Sequence, residues 1–286
     1  MKKLGDRKDG KLLRNLDGMH FIVPLLYPNR CDNEAYNLFY SDATKLNEYL
    51  DKYNAAHEGA RLSPFIVAVA AMIKTFYLRP KMNRFIANRK IFQRNDITAS
   101  FVIKIDFHDD GAENLAFIHT TPESTLDDIF AETQKQISEA RAGKVDTSSD
   151  AMDTFAKMPG FISRTLVRFI CFLDKHGWVP NFLIDTDPYY SSMLFSYLGS
   201  IRLPASYHHL TNWGTLSCLV TVGEKKVRPF YDRKGNLEMK DSMEYGITID
   251  ERIADGYYFA KSIRLFLKLM ENPELLEQPF STEVTI

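Results

Sequence analysis

The alternation of apolar and polar positions divides the chain into helices and short strands. Residues 1–18 are polar and are expected to run over the surface, and the apolar run 19–26 before Pro28 suits a strand or a short helix. Tyr36-Asn-Leu-Phe-Tyr has strand character. Ser41-Asp-Ala-Thr starts a helix to about residue 54, with Leu46, Tyr49 and Leu50 facing inward. Ser63-Pro64 is a second start, with proline in the first turn, where its missing N–H is harmless. The helix over 65–78 is apolar nearly all round, so it is expected to be buried. Arg79-Pro80 ends it. Pro80-Lys-Met-Asn leads to strands at 90–94 and 97–107, and 114–120 continues the sheet. Ser124 is read as the N-cap of a helix to about residue 142, with Leu126, Ile129, Phe130 and Thr133 on its inner face.

The second half begins with a polar linker, 143–149, and then 150–175 reads as one or two helices broken at Pro159-Gly160. The stretch 161–184 is the most apolar in the chain. Arg164, Arg168, Asp174 and Lys175 break it too often for a membrane span, so a buried or interface helix is expected. Ser191-Ser-Met-Leu leads into Phe195-Ser-Tyr-Leu-Gly-Ser, read as a turn. Tyr207-His208-His209-Leu precedes a strand over 216–222. Segments 227–230 and 237–239 flank Asp232-Arg-Lys-Gly-Asn, a hairpin turn in which Gly235 can take positive φ. Ile247 and Ile249 alternate with polar neighbours at a strand end. Asp250, Glu251, Arg252 and Asp255 then set four charges beside Gly256 within seven residues. Phe259, Ile263, Phe266, Leu267 and Met270 mark a helix that Asn272-Pro273 stops. The pattern predicts one α+β domain over 1–286 with a mixed sheet and helices at 42–54, 64–78, 124–142 and 256–271. A charged knot between buried elements is costly unless the charges pair, which makes 250–256 the candidate site.

Composition narrows the classes. The 286 residues carry 36 basic and 37 acidic side chains, a formal net charge of −1. That balance argues against nucleic acid or an anionic membrane as partner. Cys31, Cys171 and Cys218 are odd in number and widely spaced. They indicate neither a zinc site nor a disulfide framework and read as reduced thiols of a cytoplasmic protein. The N-terminus is too charged for a signal peptide.

Asp250-Glu-Arg-Ile-Ala-Asp-Gly resembles the Asp-His-Arg-x-x-Asp-Gly motif of the acyltransferase core of the 2-oxo acid dehydrogenase complexes. Chloramphenicol acetyltransferase shares that fold and has a related motif. The following helix and its Asn-Pro-Glu-Leu-Leu end match as well. A buried helix leading to Pro-x-x-Asn and two strands, here around Pro80, is a second likeness. Phe195-Ser-Tyr-Leu-Gly resembles the family's Ile-Ser-Asn-Leu-Gly turn. The family's catalytic histidine falls on Glu251. No lipoyl-bearing hairpin and no subunit-binding helix pair precede the core.

The resemblance implies a chloramphenicol acetyltransferase-like fold and coenzyme A as a substrate, with no metal. It also implies a homotrimer whose active site is a channel between subunits. Acyl transfer needs a base to make a thiolate and donors for the oxyanion. Ser196 matches the family's oxyanion donor, and Tyr197 stands where Asn or Ser is usual. Asp255 matches the aspartate that orients the site, with Asp250, Arg252 and Gly256 as its structural frame. Glu251 is the candidate base. A carboxylate titrates near 4.3, about four units below a thiol, and burial can raise it by roughly 3–5 units. His208 or His209, after the Ser196 turn, offers an imidazole instead and could bind substrate. Two readings result: a CoA-dependent acyltransferase with an altered base, and a catalytically silent homologue that binds acyl-CoA or a protein partner. The ending Pro279-Phe-Ser-Thr-Glu-Val-Thr-Ile lacks the apolar anchor of the larger cubic or dodecahedral cores.

Overall fold

A computed structural model describes residues 3–104, 113–142 and 157–285. The N-terminal stretch does more than wrap the surface. β1 (Gly10–Leu12) pairs antiparallel with a later strand, and Arg7 is buried against Asp9 (2.8 Å) and Asp174 (3.1 Å). The apolar run after it is helix α1 (Gly18–Leu26), capped by Asp17, whose carboxylate accepts the His20 N–H.

β2 (Glu34–Asp42) reaches further than the aromatic run predicts, so Ser41 and Asp42 belong to the strand and helix α2 (Thr44–Ala56) starts later. Asp42 accepts the Thr44 N–H at 2.8 Å from just outside that helix. Helix α3 (Pro64–Leu78) begins where Ser63-Pro64 places it, and every residue from Phe65 to Phe76 is buried. Burial of each large apolar side chain there stabilises the fold by roughly 1.5–3 kcal/mol. The charge among them, Lys74, donates to the carbonyls of Leu275 (2.7 Å), Pro279 (3.2 Å) and Gln278 (3.4 Å), as a buried ammonium requires.

β3 (Arg84–Ala87) and β4 (Lys90–Arg94) form a hairpin that β1 extends into a small sheet. β5 (Ile97–Lys104) and β6 (Glu113–Thr120) pair antiparallel in the main sheet. Helix α4 (Leu126–Arg141) is capped by Thr125 rather than Ser124, because Asp128 reaches back to the Thr125 N–H at 2.8 Å. Ser124 instead accepts the Thr121 N–H one turn earlier. The linker 143–149 and the stretch 150–156 lie outside the described residues, as do 105–107.

Helix α5 (Gly160–His176) and short helix α6 (Asn181–Thr186) follow. Of the two placements expected for 161–184, buried or at an interface, burial within this chain is not found. Neither helix holds a buried residue, and Phe161 is 72% and Phe182 63% exposed.

β7 (Met193–Tyr197) makes a strand of what the sequence presents as a turn, and a 3-10 turn over Leu198–Ile201 follows it. β8 (Cys218–Val222), β9 (Lys226–Tyr231) and β10 (Leu237–Asp250) complete the strands. The main sheet has the order β2-β10-β8-β7-β5-β6, with β9 on the outer half of β10. The β5–β7 and β7–β8 pairs are parallel and the rest antiparallel. Helix α7 (Gly256–Glu271) closes the fold.

Side chains alternate across the sheet. Tyr245, Ile247 and Ile249 of β10 face the helices with Val222, Val220 and Cys218 of β8 opposite them, and all six belong to the main core. The intervening Gly246 and Thr248 face the segment 203–214, where the carbonyl of His208 accepts from Thr248 Oγ1 at 2.7 Å. The sheet therefore has a helix face and a loop face, and the candidate residues divide between them.

Candidate functional site

Asp250 and Arg252 solve the cost of burying charge by pairing with each other. Asp250 is fully buried, and Arg252 grips it with two donors, Nε at 2.8 Å and Nη2 at 2.7 Å. The remaining Nη1 donates to the carbonyls of Tyr27 (2.8 Å) and Pro28 (3.1 Å), just beyond α1. Arg30 Nε lies 3.7 Å from the second Asp250 oxygen. Its Nη2 donates to the carbonyls of Gly214 (3.0 Å) and Ile86 (3.1 Å). The knot thus fastens α1, β3, the loop face and the motif turn together, the structural part that the resemblance implies for Asp250 and Arg252.

Glu251 and Asp255 turn the other way. Both are exposed, on a 3-10 turn (Glu251–Ile253) and at the start of α7. Asp255 caps α7, its Oδ1 accepting the Tyr258 N–H at 2.9 Å, and that bond holds its pKa below the ordinary range. The carboxylate assigned to orient the site is therefore committed first to the helix. Glu251 heads the 3-10 turn and stands in solvent in the single chain. Gly256 is not a structural necessity either. Its φ lies outside the left-handed region, and a Cβ there would meet no atom within 4 Å. What its missing side chain does is leave space.

That space opens into a cavity of about 600 Å³ on the helix face. Met19, His20 and Val23 of α1 form one wall, Ala35, Asn37 and Phe39 of β2 the floor, and Phe259, Ile263 and Leu267 of α7 the other wall. Glu251, Asp255 and Gly256 line its end. The lining is mostly apolar, with charged or titratable groups at His20 of α1, at the motif turn and at Arg264 of α7.

His20 is the cavity residue that sequence reasoning passed over. Its Nδ1 lies 2.6 Å from Asp17 Oδ2, while the other Asp17 oxygen accepts the His20 N–H at 3.0 Å. One carboxylate thus caps α1 and fixes the ring, and its pKa is lowered first by the His20 N–H and then by the ring. The local signal was an Asp three residues before a histidine at the head of an apolar run, an N-cap spacing. Its nearness to 250–256 depends on the Arg252 clamp and has no signature in sequence.

Ser196 sits on the other face. It pairs with Thr221 in the β7–β8 register, and the Thr221 hydroxyl donates to the Ser206 carbonyl at 2.8 Å, on the loop face. Tyr197, one residue on, is therefore on the helix face, where its ring stacks on Phe65 with centroids 5.0 Å apart. Tyr197, expected at the substrate, thus packs in this chain against the buried helix α3. His208 and His209 lie in the segment that covers the loop face, so they share a side with Ser196 and do not line the Glu251 cavity. His208 is half-buried and His209 exposed, with His209 Nδ1 2.8 Å from the Leu210 carbonyl.

This architecture has known counterparts. The chain is 17% identical to a probable dihydrolipoamide acetyltransferase from Listeria monocytogenes 4b F2365, covering 97% of this chain and 98% of that one at a TM-score of 0.61. A chloramphenicol acetyltransferase aligns over 92% of this chain and 98% of its own, with 13% identity and a TM-score of 0.55. The chain has the chloramphenicol acetyltransferase-like fold. The acyltransferase-fold comparison extends to the Azotobacter vinelandii dihydrolipoamide acetyltransferase, at 14% identity, 92% and 93% coverage and a TM-score of 0.61. A serine, a histidine and an asparagine have been investigated for their role in that enzyme's catalytic mechanism. Residues 215–277 match the 2-oxoacid dehydrogenases acyltransferase (catalytic domain) family. That stretch contains β8, the long strand β10, the motif turn and α7, which is the part that builds the knot and the cavity end. No curated protein matches the chain.

Proposed function

We propose that the protein is a CoA-dependent acyltransferase with an altered base, moving an acyl group between a thioester and an acceptor not yet identified. One observation carries the reading. The family-matched turn, clamped by Asp250 and Arg252, ends at the mouth of a mostly apolar cavity with Glu251 and Asp255 on its rim. Apolar walls suit an acyl chain or the arm of an acyl-CoA, and the rim is where the thioester would meet a proton acceptor. Glu251 holds the histidine's place there and Asp255 caps the helix behind it.

Ser196 is assigned as oxyanion donor. It lies on the face opposite the cavity, so a single chain does not bring donor and base together. That separation supports a homotrimer in which the Ser196 turn of one subunit meets the Glu251 cavity of the next. Sedimentation at micromolar concentration tests it, and a monomer would remove the shared site.

The second reading, a silent homologue that binds acyl-CoA or a protein partner, is favoured by the missing motif histidine. The deciding experiment measures coenzyme A binding by calorimetry and acyl-CoA turnover on the same sample. Turnover upholds the enzyme, whereas binding without turnover supports the silent homologue. Should Glu251→His create activity in an inert protein, the native chain is the silent one.

A further inference from the structure

We propose that His20 takes the proton in acyl transfer, replacing the imidazole that the motif lacks. The inference rests on the acyltransferase reading above and adds a residue from the other end of the chain.

Three observations converge on His20. The side chain lines the same cavity as Glu251, Asp255 and Gly256. Its Nδ1 is held at 2.6 Å by Asp17, a carboxylate fixed in turn as the cap of α1. Among the described residues no hydrogen bond occupies Nε2. A carboxylate on one ring nitrogen keeps the N–H there and leaves the lone pair on the other, the arrangement that makes histidine a general base. Arg252 connects the helix to the motif, since its guanidinium binds the carbonyls of Tyr27 and Pro28 at the end of α1 while gripping Asp250.

The proton affinities favour an imidazole. Removing a proton from a thiol near 8.5 costs a factor of about 10⁴ in equilibrium with an ordinary carboxylate as acceptor, and about 10² with an imidazole near 6.5. Glu251 brings a negative charge to the same cavity, and Arg252 and Arg264 bring positive ones.

In the step, the S–H or O–H bond of the acceptor breaks and its proton moves to His20 Nε2. The freed electron pair attacks the thioester carbonyl carbon, and the carbonyl oxygen becomes an oxyanion. The carbon–sulfur bond to coenzyme A then breaks, the carbonyl re-forms, and the thiolate leaving group takes the proton back from His20. No oxidant or metal enters the balance.

The test compares acyl-CoA turnover and coenzyme A affinity in the full chain and its variants. His20→Gln is expected to lower turnover by roughly 10²–10⁴-fold with coenzyme A affinity retained. Added imidazole is expected to restore part of the rate to His20→Gly, which a purely structural role would not allow. Asp17→Asn keeps an acceptor for the helix cap but removes the charge on Nδ1, so it lowers turnover less than His20→Gln does. Unchanged turnover in His20→Gln overturns the assignment while leaving the acyltransferase reading intact. Joint loss of turnover and coenzyme A binding without imidazole rescue also overturns it, as a sign of misfolding around α1. A wild-type protein that binds coenzyme A and never turns over acyl-CoA sinks both.

Discussion

Within seven residues the motif turn contains two opposite solutions to placing charge. Asp250 and Arg252 point inward, lose nearly all contact with water and satisfy each other with two hydrogen bonds. Glu251 and Asp255 point outward onto the cavity rim, one standing in solvent and the other engaged with a helix N-terminus. The inward pair is coupled to the rest of the fold through Arg30 and the end of α1, so changing it alters everything it holds. The outward pair is held by far less of the fold, so it can vary with little structural consequence.

Breaking the inward half should have the largest effect. Arg252→Ala removes both side-chain hydrogen bonds to buried Asp250 and leaves it Arg30 Nε at 3.7 Å as its charged partner, and breaking such a buried pair costs about 3–5 kcal/mol. Urea denaturation followed by circular dichroism should show it as a lower midpoint with little change in slope. The outward half should respond far less. Asp255→Ala removes the α7 cap and is expected to cost about 1 kcal/mol in the same measurement. That contribution depends on pH. The folded-state pKa of Asp255 lies below the ordinary value, so the cap is complete above the unfolded value of about 3.9 and is lost as pH falls through the folded one. The difference between wild type and Asp255→Ala should therefore shrink only in strong acid. Glu251→Gln should change stability by no more than about 0.5 kcal/mol, an effect near the limit of the same titration. A destabilisation by Glu251→Gln as large as that by Arg252→Ala would erase the distinction between the two halves.

The parts legible in the sequence are those decided by neighbours along the chain. Ser63-Pro64 and Asn272-Pro273 mark the ends of α3 and α7 because caps and prolines act within one turn. The continuous apolar run of α3 announces its own burial. Phe161 and Phe182 left two placements open, because apolar character states a preference for burial and says nothing of whether the same chain supplies the cover. Ser196 and Tyr197 show a different gap. Read as a turn they could both serve one site, whereas in a strand adjacent residues must face opposite ways. His20 was out of reach because more than two hundred residues separate it from the turn whose cavity it shares, and only the folded chain joins them.

One consequence remains in the Arg252 clamp. The same guanidinium that neutralises Asp250 also holds the chain just past α1 at Tyr27 and Pro28. It acts as a gauge block, setting how far the α1 wall of the cavity stands from the α7 wall. Arg252→Lys should show this most plainly. A lysine can still neutralise the aspartate, but its single ammonium cannot hold a bidentate carboxylate and two distant carbonyls in one plane. The spacing between the walls should slacken in that variant before the fold gives way, so ligand affinity would register the change at temperatures where a melting curve still looks native.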